Sequence, residues 1–197
     1  MAALFAFGAI ADVQYADADD GYDRSGKQPR CFRGALDVLS RAVDWFAAYH
    51  AQGGGVQLSF VAQLGDIVDG QSAQSGKSTE ALQAVMAHIR RSPIPFVNLV
   101  GNHELYNFDR EQCAALLGTR PEGRTREFYA FAPARGYRVL VLDAFQEAVI
   151  GWPQEEPRRQ AAVTLLREKH PSGFDPSDWF KDLEGMAKRR VAWADER

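Results

Sequence analysis

Three apolar runs of strand length, each stopped by polar residues and separated by helical repeats, leave this chain few ways to fold. Residues 4–11 (LFAFGAIA) are continuously apolar and stop at Asp12, the pattern of a strand covered on both faces. Residues 56–64 (VQLSFVAQL) stop at Gly65-Asp66, and residues 94–100 (IPFVNLV) stop at Gly101-Asn102-His103. Between the first two runs, from Cys31 to His50, Phe32, Leu36, Leu39, Val43 and Phe46 recur at three- and four-residue spacing, and Gly53-Gly54-Gly55 closes the segment. Between the last two, residues 78–91 place Leu82, Val85, Met86 and Ile89 on one stripe ahead of Pro93. Strand–helix–strand–helix–strand implies a mostly parallel sheet with flanking helices.

Beyond the third run the alternation lapses. Asp109 has the character of an N-cap for a short helix containing Leu116 and Leu117. EFYAFA (127–132) and YRVLVLDAF (137–145) are close enough to pair as two further strands, and residues 158–169 and 178–191 carry helical patterns among several prolines. Composition fits one globular domain over 1–197, with an α/β core at 1–145 and a helical and loop extension at 146–197, since 46% of residues are hydrophobic and 25% charged.

The balance of 23 basic against 26 acidic side chains disfavours a protein that works by neutralising nucleic-acid phosphates. No apolar stretch approaches the ~18 residues of a membrane span. The N-terminus MAALFAFGAIAD lacks a basic leader and reads as a strand. Cys31 and Cys113 match no metal or redox spacing, which fits a reducing, cytoplasmic setting.

Each of the first three strands is followed by side chains that carry chemistry: Asp12 and Gln14, then Asp66 and Asp69, then Asn102 and His103. In open parallel sheets the loops at this edge converge over the strand ends, where ligands bind, so these six groups are expected to share one crevice. Taken alone, ADVQ reads first as a capped loop, and GDIVDG reads equally well as a turn. GNHE is sharper, because Asn-His after a strand-end glycine has little structural reason to exist. His50, His88 and His170 sit in or beside helical segments and read as surface or structural residues. Asp17, Asp19, Asp20 and Asp23 read as a solvated loop. Tyr15, Tyr106 and Phe108 are placed to wall the site or to fill the core.

Together, D-x-[H/Q], G-D-x-x-D and G-N-H-[D/E] resemble the calcineurin-like metallophosphoesterases. FGAIADVQYAD, QLGDIVDG and GNHELYNF are similar in particular to the manganese-dependent ADP-ribose/CDP-alcohol diphosphatases, in which Gln replaces the usual first His. The resemblance implies a two-metal site of Mn²⁺, or of Mg²⁺, that activates water for attack on phosphorus. Asp12 and Gln14 would bind one ion, Asn102 the other, and Asp66 would bridge them. His103 would be the catalytic proton donor, supported by Asp69. The implied substrates are small nucleotides such as ADP-ribose or CDP-alcohols, split at a phosphoanhydride. The family pattern also carries a V-x-H segment and a G-H-x-H segment, and this sequence has neither. The expectation is therefore the N-terminal half of an αββα sandwich, with one sheet face uncovered and open to self-association. A truncated gene model, a short isoform and a degenerate paralogue all fit. The resulting alternatives are a non-catalytic remnant with partial metal or nucleotide binding, and a phosphomonoesterase or phosphodiesterase of the same superfamily.

Overall fold

The computed structural model describes residues 5–22, 26–52, 56–119 and 128–169. Two compact units divide the chain, 1–144 and 145–197. In the first, β1 (Ala6–Ile10), β4 (Leu58–Gln63) and β5 (Phe96–Asn98) form a sheet in the order β1-β4-β5. Both pairings are parallel, with Gly8 opposite Val61 and Val61 opposite Phe96. The mostly parallel α/β architecture expected from the alternating pattern is the one observed.

Two helices serve as the crossovers: α1 (Ala35–Ala51) joins β1 to β4, and α3 (Ser78–Ile89) joins β4 to β5. Leu39 and Val43 of α1 meet Leu82, Val85 and Met86 of α3 in one buried cluster with Ile67 and Val68. Each such side chain contributes about 1.5–3 kcal/mol on burial. A second cluster joins Phe46 of α1 to Leu58, Val61 and Ile94. Gly8 makes that contact possible, because a Cβ there would lie 2.7 Å from the Phe46 ring. Phe32, expected on the stripe of α1, is buried just ahead of the helix.

The opposite side of β1 is open. Phe7 is 53% exposed and Ala9 is exposed, so the expectation of a first strand covered on both faces is corrected. A run that is apolar throughout carries no information about which face finds a partner. The residues read as strands near 127–132 and 137–145 are β6 (Tyr129–Phe131) and β7 (Val139–Val141), an antiparallel pair. Phe131 packs edge-on against Phe60 of β4, with ring centroids 5.1 Å apart.

Three short elements escape a periodicity reading. They are the two-stranded ribbon of β2 (Gly21–Tyr22) and β3 (Pro29–Arg30), the helix α2 (Gly70–Gln74), and α4 (Asn102–Asn107). The N-cap expectation holds for α5 (Arg110–Leu117), where Asp109 accepts the Gln112 N–H at 2.8 Å and Gln112 accepts that of Asp109 at 2.9 Å.

In the second unit, α6 (Pro157–Lys169) matches the pattern at 158–169. Arg158 lies over the Trp152 ring at 4.9 Å, and Arg159 donates to the Val149 carbonyl at 3.0 Å. His170 and the helix expected over 178–191 lie outside the described residues, as does Asp23. Among the described residues no helix is long and apolar enough to cross a membrane. Cys31 is exposed, Cys113 is buried, and neither forms a disulfide.

Candidate metal centre

Past the ends of β1 and β4 the two chains continue side by side. Asp12 N–H donates to Gly65 O at 3.2 Å, Gln14 N–H to Asp66 O at 2.9 Å, and Tyr15 N–H to Ile67 O at 3.1 Å. Keeping this register bends the backbone sharply. Asp12, Gln14 and Asp66 are the non-glycine residues with positive φ among the described residues, at 56°, 45° and 57°. The left-handed region is uncommon for side-chain-bearing residues, and strain of this kind, about 1–3 kcal/mol each, collects at functional sites. All three positions are among the candidate ligands that the resemblance implies.

The side chains converge as the strand-end argument requires. Gln14 Nε2 donates to Asp12 Oδ1 at 3.2 Å and lies 3.5 Å from Asp66 Oδ2. Asp66 Oδ1 accepts the His103 backbone N–H at 3.0 Å. Asn102 opens α4 beside this contact, and its Nδ2 donates to the Tyr106 hydroxyl at 3.1 Å. That leaves the Asn102 Oδ1 as the acceptor end of the amide. Burial raises the Tyr106 hydroxyl above the usual phenol range, with the Asn102 bond acting against it.

His103 Nδ1 accepts the Gly70 N–H at 3.1 Å. A backbone N–H only donates, so the neutral ring carries its proton on Nε2 and can donate from there. Asp69 Oδ2 stands 3.5 Å from the same Nδ1, placed to receive a proton-bearing Nδ1 when the ring is charged. Asp69 also caps α2, its Oδ1 accepting the Gln71 N–H at 2.9 Å.

Several residues of the site went unnoticed in the sequence. Arg30, on β3, donates to Gln14 Oε1 and reaches within 3.9 Å of Asp69 Oδ2. Gln63 is fully buried at the end of β4, accepting the Gly65 N–H at 3.0 Å and donating to the Gly65 carbonyl at 2.8 Å. Glu104, the last residue of GNHE, is buried with its carboxylate on three backbone N–H groups at 2.7 Å. Burial pushes that carboxyl upward, against the pull of the Gly101, Asp66 and Ile67 N–H groups and with the push of the Asp66 charge. Of the aromatic candidates, Phe108 is core, Tyr15 packs against the core, and Tyr106 belongs to the site.

The acidic loop is tied down. Asp17 pairs with both Arg33 and Lys77 at 2.8 Å, and Arg33 also holds Asp19 at 2.6 Å. The hydrogen bonds from Lys77 and Arg33 lower the Asp17 carboxyl to about 2.

Among the described residues no three His, Cys, Asp or Glu side chains are arranged to hold a metal. A cation at this edge would therefore rest on two carboxylates, two amide oxygens and water, the oxygen-rich donor set that suits hard divalent ions. The fold and this edge define an α/β protein with a polar, strained cluster of candidate ligands over the ends of parallel strands.

The calcineurin-like phosphoesterase family model matches residues 5–193, and the chain belongs to that family. A manganese-dependent ADP-ribose/CDP-alcohol diphosphatase of Arabidopsis thaliana is 39% identical over 190 residues, covering 96% of this chain and 58% of the relative. The Homo sapiens protein of the same name is 33% identical, covering 98% of this chain and 61% of its own length. A dimetal phosphatase from Danio rerio superposes with a TM-score of 0.74 at 34% identity, over 84% of this chain and 52% of that one. The chain thus spans little more than half the length of the relatives it matches.

Proposed function

We propose that this chain carries the metal-binding edge of a hydrolase that splits phosphoanhydrides such as ADP-ribose or CDP-alcohols. The observation that carries the reading is the coincidence of left-handed backbone with donor side chains at Asp12, Gln14 and Asp66, on a chain whose relatives are named for that activity. Asp12, Gln14, Asp66 and Asn102 would hold two divalent cations, Mn²⁺ or Mg²⁺, which when bound activate water and neutralise charge at phosphorus.

The protein's own part follows from its contacts. Gln14 spans Asp12 and Asp66 with its amide nitrogen and meets Arg30 with its oxygen. Accepting a cation means releasing Arg30 and turning that oxygen inward. Once protonated on both ring nitrogens, His103 gives its Nε2 proton to the leaving oxygen and returns to the neutral ring, and Asp69, 3.5 Å from Nδ1, stabilises the charged form.

The open sheet face supports a second element, self-association. Phe7 on β1 and Leu64 just past β4 are 53% and 51% exposed, apolar side chains that a partner could cover. The same openness favours the non-catalytic remnant as the second reading. Cys31 and Cys113, which form no disulfide with each other, support a cytoplasmic location.

The test is hydrolysis in Mn²⁺ of ADP-ribose, CDP-choline and an aryl phosphate. Cleavage of the first two supports the proposal. Preference for the aryl phosphate points to a phosphomonoesterase or phosphodiesterase, and metal binding without hydrolysis points to the remnant.

A further inference from the structure

A fully buried carboxylate at the site is one that the proposed chemistry does not use. Glu104 is 0% exposed, on the first turn of α4. Its Oε2 accepts the N–H groups of Gly101 and Asp66, each at 2.7 Å. Its Oε1 accepts the Ile67 N–H at 2.7 Å and faces that of Val68 at 3.5 Å. In the opposite direction, Asp66 Oδ1 accepts the His103 N–H. Two carboxylates therefore cross between the loops, each held by the other loop's backbone.

The approach is so close that a Cβ on Gly101 would overlap the Asp66 carboxylate. Asp66 holds its left-handed φ of 57° between the braced Gly65 turn and this latch. Burying a carboxylate is unfavourable unless its oxygens are satisfied, and here every bond it gains comes from the two loops that carry Asp66, Asn102 and His103. An amide would offer one acceptor oxygen and set an NH₂ group against N–H donors.

We infer that Glu104 is the positioning residue of the centre: it fixes the Asp66 backbone and leaves Asp66 Oδ2 on the Gln14 side before any cation arrives. The inference rests on the reading of Asp66 as a metal ligand. It makes the site pre-organised, with the ordering done during folding and not by the metal.

The test combines amide hydrogen exchange by NMR, without metal and with diamagnetic Mg²⁺, and calorimetric Mn²⁺ titration of wild type and Glu104→Gln. In the metal-free wild type, the Asp66, Ile67 and Gly101 amides should exchange at least about a hundredfold more slowly than unstructured amides. Glu104→Gln should lose that protection and about 10–100-fold in Mn²⁺ affinity, the size of other outer-sphere effects, while keeping a cooperative melt. A lowered melting point with Mn²⁺ affinity unchanged within about twofold means a merely structural role and overturns the inference. If Glu104→Gln does not fold, the wild type decides. Protection already present without metal supports the latch, and protection that appears only with Mg²⁺ overturns it. A wild-type chain that binds no Mn²⁺ overturns the metal reading and this inference with it, whereas wild-type binding beside an unaltered variant overturns the inference alone.

Discussion

The C-terminal edge of the sheet and its open face are made by the same strands and differ in almost every other respect. At the edge, carboxylates, amides and backbone groups hold one another through contacts internal to the first unit, from Gln14 to Asp12 and from Glu104 to Asp66. On the face, Phe7 stacks on Phe60 at 5.2 Å and still leaves half its surface in water. The edge satisfies itself within this chain, and the face does not. Well-satisfied polar geometry at a strand edge can therefore sit beside a strand face that is only partly covered.

Separate responses of the two regions follow. The largest effect is expected at the edge. His103→Ala should lower Mn²⁺-dependent turnover by about 10²–10⁴, the usual loss of a general acid, with metal content nearly intact. Loss of the metals would instead make His103 a ligand. Next comes the face. Replacing Phe7 by Ser should convert self-associated species to monomer in sedimentation while leaving Mn²⁺ affinity unchanged, and the lost stack on Phe60 should lower stability by about 0.5–1.5 kcal/mol. A matching loss of Mn²⁺ binding would show that the regions are coupled.

A smaller effect belongs to Asp69→Asn. Asn caps a helix about as well as Asp, so α2 should persist, and turnover should fall by about tenfold or less through loss of the charge beside His103. A melting point lowered as far as by Asp69→Ala would make Asp69 chiefly a cap.

The smallest effect is at Asp17. Its carboxyl is lowered from 3.8 to about 2 by Lys77 and Arg33. A depressed carboxyl contributes stability that is complete above its unfolded value and is lost as pH falls through the folded one. Melts through that acid window should show a slight fall for wild type that Asp17→Asn lacks. Salt should shrink the difference, since the group is exposed, and metal binding should not change.

The parts of the molecule legible in the sequence are those where periodicity and strand-end position act together. Val85 and Met86 announce the buried stripe of α3, and Asp12, Asp66 and His103 mark the edge because each follows an apolar run. Elements of two to six residues, such as β2, β3 and α4, are too short to show a period. Arg30 reaches Gln14 only because the ribbon folds back, which no spacing reveals. Glu104 has no role legible in its spacing, because its partners are backbone groups of the Asp66 loop. The open side of β1 was hidden by an apolar run that looks the same whichever face is covered.

The account stands on Asp66 as the carboxylate shared by two cations, and a calorimetric Mn²⁺ titration tests it most directly. Wild type should bind two ions per chain, Asp66→Asn should weaken both by about a hundredfold or more, beyond what outer-sphere changes cause, and Asn102→Ala should weaken one. Absence of binding to the wild type, or a loss from Asn102→Ala equal to or larger than that from Asp66→Asn, would contradict it.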